Sequence, residues 1–202
     1  MPSFQWGHEL PRLCGRRVDL RWLTRRDASA VLRIFGDPEV MKFWSSPPLH
    51  GLAAAVDVVD EIHQLFASRR LFQWGICLQD SEEVLGTCTL LNLDPAHRRG
   101  EVGFALCRSA WGQGIATEAL ELLIGFSFEA LDLHRLEADV DPRNERSLRL
   151  LERQGFRREG YPRERWHHLG QIHDAVFLGL IRREWSGAAA AEPAVGGERG
   201  RR

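Results

Sequence analysis

Apolar positions along this 202-residue chain switch repeatedly between a period of two and a period near 3.6, and the switches divide it into strands and helices. From Arg16 to Leu23 the alternation puts Val18, Leu20 and Trp22 on one face, a first strand. Thr24 then opens a helix: Asp27 stands three residues on, close to a capping box, and Ala28, Val31, Leu32 and Phe35 form the apolar stripe. Asp37-Pro38 begins a short helical piece with Val40 and Met41, and a third helix runs from about Leu52 to Ser68. Phe72 to Leu78 and Val84 to Leu93 read as a hairpin across the polar turn Gln79-Asp80-Ser81-Glu82. Arg99 to Cys107 is the fourth strand. A helix follows it, with Ile115, Ala119, Leu122, Leu123, Phe126 and Ala130 as its stripe and Thr117, Glu118 and Glu121 among its polar positions. His134 to Val140 is a fifth strand ended by Asp141-Pro142, and a helix from Glu145 to Gln154 stops at Gly155. Phe156 to Trp166 and Ile172 to Ile181 close the pattern as an antiparallel pair turning near Gly170.

This order calls for one α/β domain, a mixed sheet covered by helices on both faces. No internal repeat is visible. Residues 186–202 lack large apolar side chains and are expected to be a disordered tail. A net charge of −1 supplies no field for nucleic acid or an acidic membrane, so neither is expected as a partner. Cys14, Cys77, Cys88 and Cys107 form no CxxC pair, which argues against a zinc or iron–sulfur site and fits a reducing cytoplasm. No window of about 20 residues is apolar enough to span a bilayer.

The segment from Glu101 to Ala119 carries the most chemistry, because a strand runs through Gly112 and Gly114 directly into a helix. The first N–H groups of a helix lack intrahelical partners and sit at the positive end of its dipole, so anions dock there. Glycines let such an anion approach the backbone and allow the dihedrals that concave runs of N–H groups need. Arg108 could add a charge. Without further context the same residues are equally readable as a tight strand-to-helix turn. A dinucleotide fingerprint is excluded by Thr117 in the third glycine position, and the P-loop lysine is absent.

The turn Trp111-Gly112-Gln113-Gly114-Ile115-Ala116, the block from Asn144 through Ser147 to Gly155-Phe156 and the element order together resemble the GNAT superfamily of acetyl-CoA-dependent N-acetyltransferases. The chain is most similar to the RimJ/RimL-like branch, over about residues 14 to 185, because Trp111 occupies the position where the wider superfamily has Gln or Arg. The resemblance implies a mostly antiparallel sheet of about seven strands. It implies acetyl-CoA as co-substrate, with the backbone N–H groups of Gly112, Gln113, Gly114, Ile115, Ala116 and Thr117 holding its pyrophosphate. Leu106 and Cys107 would meet the pantetheine arm through their main chain, which leaves little for the Cys107 thiol to do. By itself Asn144 reads as a helix cap, with Ser147 one turn later. The resemblance implies that Asn144 touches pantetheine or substrate and that the Ser147 hydroxyl lies near the thioester sulfur. Many relatives have a tyrosine acid four residues before the Gly-Phe pair, and Leu151 stands there, so Ser147 is the candidate acid.

Acetyl transfer needs a neutral amine, an oriented carbonyl and a stabilised thiolate. Glu101 is the candidate base; its bland alternative is a surface ion pair with Arg98 or Arg99. The expected acceptor is an amine, foremost the α-amine of a ribosomal or other protein N-terminus. A polyamine or drug amine is the alternative, and an acetyl-CoA-binding regulator without turnover is a third reading. His167 and His168 read as a solvated hairpin end, His134 and His173 as structural, and Asp174 as turn-fixing. Phe43 and Trp44 line either an acceptor groove or the core. Homodimerisation is an expectation of the resemblance alone.

Overall fold

The computed structural model describes residues 5–168 and 170–187; residues 188–202 of the expected tail lie outside that set. The chain forms β1 (Leu13–Cys14), β2 (Val18–Trp22), α1 (Ala28–Phe35), α2 (Pro38–Met41), α3 (Gly51–Ala67), β3 (Leu71–Leu78), β4 (Gly86–Asp94) and β5 (Arg99–Leu106). It continues through α4 (Ile115–Gly125), β6 (Arg135–Val140), α5 (Glu145–Arg153), β7 (Arg157–Gly160), β8 (Trp166–His168), β9 (Gln171–His173) and β10 (Val176–Ile181). Eight strands make one sheet in the order β1-β2-β3-β4-β5-β6-β10-β7, and β8 and β9 form a separate hairpin. Every neighbour in the large sheet is antiparallel except β5 and β6.

Alternation along the strands sends side chains to two covered faces. Trp74 and Cys88 are cross-strand partners on the face that meets α4: the Cys88 Sγ lies 3.8 Å from the Ala119 carbonyl, and Trp74 packs edge-on to Phe126. Arg21 and Gly75 pair on the opposite face. There the Arg21 guanidinium grips Asp27 through two nitrogens at 2.7 and 3.0 Å, and Arg33 of α1 donates to the Val84 carbonyl at 2.8 Å. A side chain at Gly75 would stand 2.8 Å from Leu23 and 3.0 Å from Val84, so the close packing of these two side chains over β3 requires glycine there.

Two expectations need correction. The strand expected over 156–166 stops at Gly160, because Pro162 cannot donate to a ladder and its carbonyl instead accepts from Ala175 N–H at 2.9 Å. Trp166–His168 then turns back on β9, while β10 inserts between β6 and β7; the two-residue β1 brings the expected sheet of about seven strands to eight. Asp174 holds this corner by accepting from Glu164 N–H at 2.8 Å.

The second correction concerns Glu118, expected on the polar side of its helix. It is buried, and one carboxylate oxygen accepts from the backbone N–H groups of Arg16, Arg17 and Val18 at 2.7, 2.7 and 3.2 Å. This latch ties α4 to the start of β2. Burial alone would raise the Glu118 pKa; the bonds from Arg17, Val18 and Arg16 outweigh it, and the pKa is lowered. A carboxyl held below its unfolded value contributes stability above about pH 4.3 and loses it as pH falls through the folded value. Glu118→Ala is expected to cost about 3 kcal/mol in urea unfolding near pH 7, since charged hydrogen bonds and orphaned N–H groups are both involved. The gap between wild type and Glu118→Gln should narrow on acidification below about pH 4; a gap independent of pH would contradict the latch.

Candidate active site

The geometry begins where β5 and β6 part. Their parallel pairing consists of Arg99↔Arg135, Gly100↔Leu136 and Glu101↔Glu137, and it goes no further. β5 stays paired with β4 as far as Leu106, and β6 stays paired with β10 as far as Val140. A wedge therefore opens between them. Cys107 N–H donates to the Leu85 carbonyl at 2.8 Å, and by alternation the groups of Phe104 and Leu106 point away from β4, toward the wedge. Cys107 is committed elsewhere: its carbonyl accepts from Ala110 N–H at 3.0 Å, and its side chain is buried. The Leu106 carbonyl accepts from the Trp111 indole N–H at 2.9 Å, which leaves the Leu106 N–H and both groups of Phe104 along the edge.

At the mouth of the wedge stands the N-terminus of α4. Gly112 and Gly114 have φ of +75° and +79°, so the chain enters the helix through two left-handed residues. The first helical bond runs from Glu118 N–H to the Gly114 carbonyl at 3.2 Å, so the N–H groups of Ile115, Ala116 and Thr117 precede the hydrogen-bonded ladder. Gln113 turns its amide back onto the Ser109 carbonyl at 2.6 Å, and Arg17 donates to the Gln113 carbonyl at 3.3 Å. Both bonds shape the loop and leave its N–H groups outward. Arg108 is exposed, 4.0 Å from Asp37.

Helix α5 forms the other wall. The Asn144 side-chain Oδ1 accepts from Ser147 N–H at 3.2 Å, so Asn144 is a true N-cap whose side-chain NH₂ stays available. The half-buried Ser147 hydroxyl has no bonded partner among the described residues. A cleft of about 1110 Å³ runs from the glycine turn along α5, and a smaller cavity of about 250 Å³ lies behind it. Phe104, Asn144 and Ser147 line both, so the two are continuous at the end of the wedge. Phe43 and Trp44 also line both cavities, although Trp44 packs against Phe35 of the core as well.

The smaller cavity holds Glu101, Asp139 and Asp141. Asp139 accepts from Arg165 at 2.9 Å and from the Trp166 indole at 3.1 Å, and Asp141 accepts from Arg143 at 2.6 Å. Glu101 differs. Its partner is the neutral side chain of Asn92, whose NH₂ donates at 2.9 Å, and neither Arg98 nor Arg99 pairs with it. Burial pushes the Glu101 carboxyl up; the Asn92 bond opposes this, Asp139 and Glu137 reinforce it, and Arg165 opposes it weakly. The net effect is a raised pKa, the direction that suits a base working near neutrality. Cys88, by contrast, is pushed up to about 12 by burial, and Cys107 lines neither cavity.

A wedge in a mostly antiparallel sheet, an anion-ready helix start at its mouth and a half-buried carboxylate at its end make a site for a long phosphate-bearing donor and a small acceptor. The sequence profile of the acetyltransferase (GNAT) domain matches residues 17–157. The chain belongs to the GNAT acetyltransferase family. Among GNAT relatives, YdaF of Bacillus subtilis, provisionally named a ribosomal N-acetyltransferase, is 38% identical over 174 residues, 84% of this chain and 94% of its own. The spermidine N(1)-acetyltransferase of Escherichia coli is 27% identical over 83% of this chain and 88% of its own. The structure of Mycobacterium smegmatis RimJ in complex with CoA-disulfide superposes with a TM-score of 0.78, at 27% identity and 85% coverage of both chains. This GNAT chain is accordingly an N-acetyltransferase of the kind to which ribosomal-protein and polyamine enzymes belong.

Three groups at the site escape a reading of motifs. Asn92 has φ +51° and sits where the β4–β5 register shifts between Leu91 and Asp94, a bulge that turns its side chain toward Glu101. An asparagine inside an apolar strand is the signal that could have found it. Asp139 alternates outward from β6 like any polar strand residue, and only the fold brings Arg165 and Trp166 to it. Among the charged positions of the last hairpin, His167 is exposed, whereas His173 lines the smaller cavity. Among the described residues no group of His, Cys, Asp or Glu converges as a metal-binding set, and no helix is long and apolar enough to cross a membrane.

Replacing the two glycines separates their roles. A left-handed φ costs a non-glycine residue roughly 1–2 kcal/mol. A Cβ at Gly112 meets open space, while one at Gly114 stands 3.2 Å from the Arg17 guanidinium. Urea unfolding should therefore show Gly114→Ala at least as destabilised as Gly112→Ala, with both losing about 1–2 kcal/mol.

Proposed function

We propose that this chain transfers an acetyl group from acetyl-CoA directly to the α-amine of a protein N-terminus. The observation that carries the acceptor class is the charge state of the smaller cavity: Asp139 and Asp141 are neutralised by Arg165 and Arg143, and only Glu101 lacks a cation. A polyamine brings several ammonium groups and needs several unpaired carboxylates to receive them. A chain terminus brings one amine. With an α-amine pKa of about 8, much of it is neutral near pH 8 and needs only a modest base.

In this reading the pyrophosphate rests on the N–H groups from Gly112 to Thr117 and the pantetheine arm runs along Phe104 and Leu106, with Asn144 beside it. Main-chain N–H groups in the wedge polarise the thioester carbonyl by position. The amine nitrogen attacks the carbonyl carbon as its proton passes to Glu101, directly or through water. The carbon–sulfur bond then breaks, and the thiolate takes a proton from the Ser147 hydroxyl, whose own proton is replaced from solvent. No covalent intermediate with the enzyme is required. Trp111 supports this arrangement by holding the Leu106 carbonyl and the first turn together.

Release of free thiol from acetyl-CoA, followed across N-terminal peptides, spermidine and small amines, tests the proposal. Peptides should be turned over with the highest kcat/KM; a preference for spermidine would overturn the acceptor class. Binding of acetyl-CoA with no turnover by any acceptor would reduce the chain to a binding module. Glu101→Gln should lower kcat by about 10² to 10⁴ and remove the limb of the pH profile that rises as a carboxyl of raised pKa loses its proton. An unchanged profile would dismiss Glu101 as the base.

A further inference from the structure

The charges around the smaller cavity are sorted by depth. Asp139 and Asp141 have side chains 3% and 8% exposed, whereas the arginines that pair with them, Arg165 and Arg143, are 52% and 55% exposed. In each pair the anion is covered and the cation reaches solvent. Two charges in the cavity lining have no such counterpart. Glu101, half-buried, is bonded only to the neutral Asn92. Lys42, the only lysine in the chain, is exposed, lines both cavities and makes no hydrogen bond or ion pair among the described residues.

Phe43 gathers the positive charge at one place. The Lys42 ammonium lies 5.6 Å from the Phe43 ring centroid and the Arg143 guanidinium 5.8 Å from the same centroid, a weak attraction in each case. These two cations share one carboxylate, Asp141, which is bonded to Arg143 at 2.6 Å. Glu39, one turn before Lys42, lines only the larger cleft and forms no ion pair with it. One positive charge is therefore left over beside Phe43, and Phe43 lines the smaller cavity together with Glu101.

An acceptor that complements both leftover charges carries an amine at its inner end and a negative group behind it. A cavity of about 250 Å³ admits only the first residues of a peptide, and an extended chain advances about 3.3–3.6 Å per residue, so the side chains that follow the terminal residue come to the rim. We infer that the preferred acceptor is an N-terminus with Asp or Glu at its second or third position, and that Lys42 selects it. The inference rests on the N-terminal amine reading above. Lysine suits this role as a compact charge on a flexible stem, able to follow a carboxylate at either position. A basic residue there would instead meet Lys42 and Arg143, a pairing of like charges.

Thiol release from acetyl-CoA with peptides that share one terminal residue and carry Glu, Gln or Lys at the second and third positions tests it. With the full chain, kcat/KM should fall in that order. The Glu peptide should exceed the Gln peptide about fivefold, mostly through KM, and the gap should close with added salt. Lys42→Gln should bring the Glu-to-Gln ratio to about one, and Lys42→Glu should favour the Lys peptide. Rates indifferent to peptide charge, a ratio that persists in Lys42→Gln, or a variant that weakens all three peptides equally would overturn the assignment and spare the N-terminal acceptor. Turnover of spermidine with none of any peptide would overturn both.

Discussion

Three residue pairs between β5 and β6 are the constraint on which the site depends. Each strand has a stronger commitment on its other side: β5 pairs with β4 along its whole length, and β6 pairs with β10 through six residues. Once those ladders are satisfied, the natural twist of each half carries the two strands apart, and the N–H and C=O groups of Phe104 and the N–H of Leu106 are left unpaired at an internal edge. An internal edge is costly unless something pairs with it. Here the main chain presents the need, and a ligand with amide groups of its own is the chemical answer.

The surrounding elements keep that edge open and aimed. Trp111 occupies one lone pair of the last β5 carbonyl, and Cys107 is turned inward by Leu85 and Ala110, so the usable backbone ends sharply at Leu106. Beyond it the left-handed glycines redirect the chain into α4. On the far wall, the Asn144 cap fixes the first turn of α5 and thereby sets where the Ser147 hydroxyl stands. The groups of the glycine turn and of the α5 cap are positioned by hydrogen bonds to main chain, whereas Glu101, Asp139 and Asp141 are held by neighbouring side chains.

Much of this was legible from periodicity. The helices of residues 51–67 and 145–153, the strand over 99–106 and the glycine turn all follow from apolar spacing and local stereochemistry, which act within a few residues. The family resemblance rests on the same local features. What the pattern could not supply is long-range. Insertion of β10 between β6 and β7 depends on pairing across distant segments, and an amphipathic stripe places Glu118 among the polar positions of its helix whether or not it is buried. Its true partners are about 100 residues away and belong to the backbone, which has no sequence signature. Glu101 is an intermediate case: its identity was readable, but its neutral partner Asn92 depends on a bulge in the adjoining strand.

The Glu118 latch also constrains how the chain can vary. A methyl group on Gly15 would fall 2.9 Å from the Glu118 carboxylate and 2.5 Å from the Val18 carbonyl, so the turn that offers three N–H groups tolerates no side chain at its entrance. Residues 15 and 118 thus form one unit in two distant parts of the sequence. Changes at the two positions should be strongly non-additive, the second costing little once the first has broken the shared geometry. This makes the entrance to β2, distant in sequence from α4, a place where substitutions in that helix are felt as epistasis.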